Sequence, residues 1–287
     1  MNLFRIDTRP GTGRRLTGRA RYREVLGRDP VRFLIANLLT LLGFLPLIAG
    51  VSLAILSSSI LILIPSCIIG GMIAGPAMAC MHDTILRSLR DAPGKLRENY
   101  GRALRQNWRQ ALVPGIVFSL MLGFYAFMMM LIWWAEIFPG WGTIALLFFG
   151  MLLFFMFFTV YWQLLVLFDQ PQKQRIGNCL LFIVRSFRKV FRVSMLQILY
   201  WGVLILFMPL SVILLPFTGI WYILFTADFK LYDTMNEMFE IEKRIAEVFP
   251  EQEVVYEDDE AWLKRRQEEM RKEPGNPQKT AGSANSD

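Results

Sequence analysis

Residues 33–81 read FLIANLLTLLGFLPLIAGVSLAILSSSILILIPSCIIGGMIAGPAMACM. These 49 residues carry no charged side chain. A helix of about 20 apolar residues crosses a bilayer's hydrocarbon core. The run therefore holds two spans and a tight turn, at about 33–53 and 60–81, with Ser57, Ser58 and Ser59 in the turn. Pro46 and Pro65 fall inside the spans. Membrane helices accept proline where neighbours satisfy the freed carbonyl.

Working outward, the same length rule gives a third span at 112–134 and a fourth at 143–168, separated by the breakers Pro139 and Gly140. Trp133 and Trp134 fall where an interfacial aromatic belt belongs. Residues 193–227 form a last uncharged run, and Pro209, Pro216 and Gly219 divide it. Those breakers favour a hairpin, with spans at 193–210 and 214–229. The expected fold is all-α: a polytopic helical membrane protein with six transmembrane helices, arranged as three hairpins, and cytoplasmic amphipathic helices. The expected organisation is an Arg-rich segment 1–32, a transmembrane domain 33–229, an acidic helical tail 230–273 and a disordered end 274–287. The tail pattern Leu231, Met235, Met238, Phe239, Ile245 and Val248 predicts a helix running from the last span to about Val248, ended by Pro250, with a further short helix at 262–272.

Composition agrees. The chain is 54% apolar, above the 45–50% usual in soluble domains, with a mean hydropathy of +0.38. Net charge is +7, unevenly spread. Residues 228–287 hold 16 acids and 9 bases, which leaves +14 on the rest. Such basic loops beside spans point to anionic lipid and not to nucleic acid. Nine basic residues lie in the first 32, seven in 82–111 and six in 169–192, while the alternate turns have none. The positive-inside rule then predicts both termini in the cytoplasm of a multi-pass plasma-membrane protein. The Arg-rich start is too polar for a secretory signal. Cys67, Cys80 and Cys179 show no C-x-x-C spacing, so neither a disulfide framework nor a zinc pattern is expected.

Two basic stretches lead into spans with arginines at i, i+3 and i+7, on one helix face. One is Arg102, Arg105 and Arg109; the other is Arg185, Arg188 and Arg192. Leu96, Tyr100, Leu104 and Trp108 lie on another face of the first, and Leu180, Val184, Phe187 and Phe191 of the second. This predicts interfacial helices that contact lipid headgroups or a partner. A basic helix plus hairpin, three times over, is the implied repeat; positive-inside selection alone produces the same arginines.

Gly71-Met-Ile-Ala-Gly75 is a G-x-x-x-G stripe for close helix packing, within one protomer or across a dimer. His82, the sole histidine, precedes Asp83. A His–Asp pair at a helix end suits a pH sensor or a metal, but a lone histidine is a poor metal site, and a structural or interfacial role is expected. Asp83, Asp169 and Asp228 read as helix-end salt-bridge partners or as an acidic ring beside the arginines. Apart from Asp228 at the end of the sixth, the spans as drawn contain no Asp, Glu, Lys, Arg or His. That pattern argues against proton coupling and against membrane hydrolases. Their polar residues are Asn37, Ser66, Ser119, Tyr161, Gln163, Gln197 and Tyr200, which leave room for a neutral-solute pathway and equally fit a non-catalytic partner protein. No catalytic residue, cofactor or metal site is expected.

The segment Gly75-Pro76-Ala77-Met78-Ala79 closes the second span. A helix from Met81 to Arg90 follows, and then Tyr100-Gly-Arg-Ala-Leu-Arg-Gln-Asn107-Trp108-Arg109-Gln110-Ala111 leads into the third. Together these resemble the YesL-like family of bacterial membrane proteins, over about residues 30–235. The resemblance implies a small polytopic protein, often encoded beside carbohydrate-uptake components, and no catalytic residue. The expected function is therefore a non-enzymatic accessory or regulatory partner of a carbohydrate-uptake system, in contact with transporter subunits. The alternative is a transporter or channel for a neutral solute.

Overall fold

The computed structural model describes residues 14–92, 94–136, 138–248, 255–257 and 264. Nine helices account for most of them: α1 (Gly18–Arg28), α2 (Pro30–Leu56), α3 (Ile60–Leu89), α4 (Leu96–Ala135), α5 (Trp141–Leu167), α6 (Gln172–Arg185), α7 (Phe187–Leu206), α8 (Leu210–Phe239) and α9 (Ile241–Val248). Arg14–Leu16 (β1) and Val255–Glu257 (β2) add one short parallel pairing. Six helices, α2, α3, α4, α5, α7 and α8, are long and apolar enough to cross a membrane. The protein is an all-helical, multi-pass membrane protein, and 193–227 is a hairpin, as Pro209 and Pro216 suggest.

The helices overrun the sequence-drawn spans. At 1.5 Å per residue α3 is about 45 Å long and α4 about 60 Å, against a hydrocarbon core of about 30 Å. The amphipathic lead-in 96–111 is continuous with its span in α4. The equivalent lead-in before α7 is a separate helix, α6, which breaks at Ser186. The proposed repeat units are thus built differently. The tail also departs from expectation. α8 ends at Phe239, Glu240 takes a left-handed conformation (φ 51°), and α9 is a separate helix to Val248. The helix expected at 262–272 and the segment 274–287 lie outside the described residues, apart from Lys264.

α3 is the spine, packed along its length on α2 and α4. Glycine makes this possible. A Cβ on Gly75 would lie 2.5 Å from the Ala111 carbonyl oxygen and 2.7 Å from Gly115 Cα. One on Gly71 would lie 2.7 Å from the Gly115 carbonyl oxygen. The G-x-x-x-G stripe therefore serves packing within the chain. α4 and α5 meet sparsely, and an apolar groove of about 540 Å³ separates them from the start of α3, lined by Ile60, Leu63, Leu120, Phe124 and Leu147 among others.

The charged ends cross-link into one polar end. Arg21 pairs with Asp91 (2.8 Å) and Glu24 (3.0 Å), and Arg28 with Asp91 (2.5 Å) and Asp29 (3.0 Å). Gln110 Nε2 donates to Asp169 (2.7 Å) and Lys189 Nζ to Thr234 (2.7 Å). At the opposite end, which carries no basic residue, Trp133, Trp134 and Trp141 are exposed, as an interfacial belt requires.

α8 is interrupted. Gly219 has φ −24° and ψ −110°, three residues after Pro216. A break in lipid frees backbone groups that must find partners. Asn37 on α2 donates from Nδ2 to the carbonyls of Leu215 and Pro216 (3.0 Å each). Its Oδ1 accepts from the amides of Ile220 (2.9 Å) and Trp221 (3.2 Å). The Trp221 indole donates to the Phe217 carbonyl (2.6 Å), and Tyr200 to those of Thr218 (3.1 Å) and Gly219 (2.8 Å). Every carbonyl from 215 to 219 is thus satisfied by a side chain.

Candidate functional site

Three long helices converge toward the polar end, and each buries a polar residue there. α3 contributes His82, α8 contributes Asp228 and α5 contributes Gln163, all three fully buried. His82 Nδ1 lies 2.8 Å from Asp228 Oδ2 and 3.1 Å from Oδ1. Gln163 Nε2 donates to Asp228 Oδ1 at 2.9 Å. The carboxylate therefore gathers an imidazole and an amide from two other helices, sealed from solvent.

Local sequence explains the placement. Asp228 shares a helix face with Phe225, Leu231 and Met235, at spacings of three and seven, and all of these are buried. His82 lies in line with Met78, Ile85 and Leu89 on α3, also buried. Each polar side chain thus replaces one apolar residue in a core-facing stripe.

The cluster continues along α5. Thr159, one turn before Gln163, donates to Gln197 Oε1 on α7 at 2.8 Å. Together His82, Asp228, Gln163, Thr159 and Gln197 form a polar seam between α3, α5, α7 and α8. Several of its buried atoms have no hydrogen-bond partner: His82 Nε2, Gln163 Oε1 and Gln197 Nε2, with Ser194 Oγ one turn away on α7. Phe118, Phe154, Phe158 and Trp162 stack between α4 and α5, with ring centroids 5.0–6.2 Å apart. An unmet buried polar atom costs about 1–3 kcal/mol. Such atoms in one seam call for water or a polar guest.

The chain matches no protein-family model, no curated protein and no solved structure. Its chemistry has to be argued from the seam. Among the described residues, no three His, Cys, Asp or Glu side chains gather as a metal site would need. Among the described residues, no hydroxyl or thiol lies within hydrogen-bonding distance of His82 Nε2.

Of the structural and interfacial roles expected for His82, the structure gives the buried, structural one, and it corrects one expectation: the partners of Asp228 are His82 and Gln163, not a helix-end arginine. His82 and Asp228 both sit inside long helices, because α3 and α8 continue well beyond the last uncharged residue and their neighbours cover that extension. Asp83 does pair with Arg87 at 2.6 Å, and Asp169 accepts from Gln110. The three aspartates form no shared ring through these bonds.

Of the six arginines on the lead-in helices, Arg105, Arg109, Arg185, Arg188 and Arg192 are exposed, and Arg102 is half-buried with a bond to Asn99. Leu104, Trp108, Leu180, Val184 and Phe187 are exposed among them. This mixture of basic and apolar surface suits the headgroup region. α6 turns inward with Arg175, Cys179 and Phe182. Burial pushes the Cys179 thiol up to about 12.

Proposed function

We propose that this chain is a non-enzymatic protein of a bacterial plasma membrane, with both termini cytoplasmic, that binds and passes a small, neutral, hydroxyl-rich solute. The single observation that carries this reading is the seam. Unmet amide, imidazole and hydroxyl groups lie inside a membrane bundle, next to a helix broken at Gly219. Broken helices beside buried polar sites are a recurrent feature of transporter folds. Amide oxygens and nitrogens offer the paired acceptors and donors that hydroxyls complement. The orientation is supported by the arginine and lysine asymmetry between the two ends. The basic face would meet anionic headgroups.

Purified protein in proteoliposomes should take up at least one member of a panel of sugars and polyols, and Gln163→Leu should abolish that uptake. Uptake no faster than in empty vesicles across the panel would refute the reading.

A second reading is an accessory role beside a carbohydrate-uptake system. It is supported by the YesL-like resemblance and by the uncovered flank of Leu206, Phe207, Leu210 and Ile213 at the α7–α8 turn. Pull-down in mild detergent should then recover a permease or solute-binding subunit, and recovery of neither would remove this reading.

A further inference from the structure

We propose that Arg175 is the floor of a phosphate-binding site between α4, α5 and the start of α6, at the basic end of the bundle. Arg175 is 1% exposed and lies outside the six membrane-spanning helices. Arginine keeps its charge when buried, so it has no escape through loss of a proton. A buried charge therefore needs a counter-charge. Arg21 and Arg87, also buried, have theirs in Asp91 at 2.8 Å and Asp83 at 2.6 Å. Among the described residues, no carboxylate lies within 4.0 Å of the Arg175 guanidinium.

Its partners are neutral. Nη2 donates to Gln110 Oε1 on α4 and, at 2.8 Å, to the Gln170 carbonyl just before α6. The ring of Tyr161 on α5 has its centre 5.8 Å from Cζ. Nε is buried without a partner, and so is the Tyr161 hydroxyl on that ring. Nη1 bonds nothing among the described residues, and it is not sealed as Nε is. The rim beside it is open, with Pro171, Gln172, Lys173 and Gln174 all exposed. The first turn of α6 holds no acidic residue, and no side chain caps it. Its leading amides have no partner within the helix, so they add partial positive charge where the guanidinium folds back. Such a helix start is a ready anion site.

Gln110 holds the place of the anion. It is half-buried, and its Nε2 donates to the exposed Asp169 at 2.7 Å, so it stands between that carboxylate and the guanidinium. Its amide oxygen is a neutral acceptor, and a charged oxygen bonds a guanidinium roughly twice as strongly. A phosphate oxygen therefore displaces it at Nη2, with a second oxygen on Nη1. Exposed Trp108 and Arg109 next to Gln110 place the site at headgroup level. A phospholipid headgroup and free phosphate share the chemistry it takes. No residue of the polar seam takes part, so the site stands apart from the solute reading.

The full chain, delipidated in neutral detergent, is titrated with two probes. One is inorganic phosphate against sodium chloride of equal ionic strength, read as a rise in Tm by tryptophan fluorescence. The other is phosphatidylglycerol, read as bound lipid by native mass spectrometry. At least one probe should bind; lipid alone assigns a headgroup, and a response to inorganic phosphate assigns the free anion. Arg175→Gln should weaken that binding by at least about tenfold, as loss of a charged donor does. Arg175→Lys keeps the buried cation but loses the fork, and should weaken it by at least about threefold. It decides the matter if the Gln variant does not fold. Arg97→Gln, exposed and about 20 Å from Gln110 along α4, should change the affinity by less than about twofold. Binding of neither probe to the wild-type chain would overturn the proposal. So would an Arg175 variant that binds as the wild type does, or one that loses no more than Arg97→Gln.

Discussion

Asn37→Leu tests the bundle at its most concentrated point. Asn37 is fully buried on α2, and its side chain makes four hydrogen bonds to α8 backbone at 2.9–3.2 Å. Leucine has a similar volume and makes none of them. Two carbonyls and two amides are left unmet, and each buried orphan costs about 1–3 kcal/mol. The plain sum of about 4–12 kcal/mol overstates the loss. The Pro216 carbonyl and the Ile220 amide would bond each other in an unbroken helix, and α8 can partly restore that contact. We expect about 3–5 kcal/mol, a large part of the roughly 5–15 kcal/mol that stabilises a typical protein. The assay is denaturant unfolding in detergent micelles followed by tryptophan fluorescence, which Trp221 reports from beside the break. Thr40→Val is the control one turn along α2. The Thr40 hydroxyl donates mainly to its own helix, at the Ala36 carbonyl (2.8 Å), and should cost less than about 1 kcal/mol. If Asn37→Leu unfolds at the same denaturant concentration as Thr40→Val, the clasp does not hold the break and the reasoning fails.

Gly75→Ala should destabilise by about 1–3 kcal/mol, because its Cβ meets the Ala111 and Gly115 backbone; Gly101→Ala has no atom within 4 Å and should gain about 0.5–1 kcal/mol. Equal unfolding midpoints for the two would contradict the packing described. The three buried cysteines should resist maleimide at pH 7–8 in the folded protein, Cys179 with a thiol pushed up to about 12, and react after denaturation in SDS; mass spectrometry counts the adducts. Replacing Arg105, Arg109, Arg185, Arg188 and Arg192 by glutamine should weaken retention of anionic over zwitterionic lipid by about 1 kcal/mol per well-placed residue, measured by native mass spectrometry at low salt.

The span count was legible because it depends on a one-dimensional quantity, the length of an uncharged run. The ends were not, because charge stops a hydropathy window without stopping a helix. His82 and Asp228 show the consequence. Each ends an uncharged run and so reads as interfacial, yet each also occupies a core stripe: Met78, His82, Ile85 and Leu89 on α3; Phe225, Asp228, Leu231 and Met235 on α8. That periodicity was present in the chain and was the signal for the site. The pairing itself was not legible. His82 and Asp228 are 146 residues apart, and only packing of the last helix on the second brings them together. Gln163 and Gln197 stood out as polar residues within spans, but their shared seam depends on α5 lying between α3 and α7. The left-handed Glu240, which separates α9 from α8, carries no sequence cue of the glycine kind.

The Asn37 clasp also sets a schedule. The first membrane helix bonds to the last, 178 residues further along the chain. At a synthesis rate of about 5–20 residues per second, that partner follows roughly 9–36 s later. Throughout that interval the nascent first hairpin carries an amide with no backbone to bind, in surroundings where such a group is expensive. Phe33, which packs on Trp221 and Phe225, waits as well. A ribosome that stalls before residue 215 therefore leaves a chain that differs chemically from a finished one inside the bilayer. Completion of the sixth helix removes that difference in a single docking step.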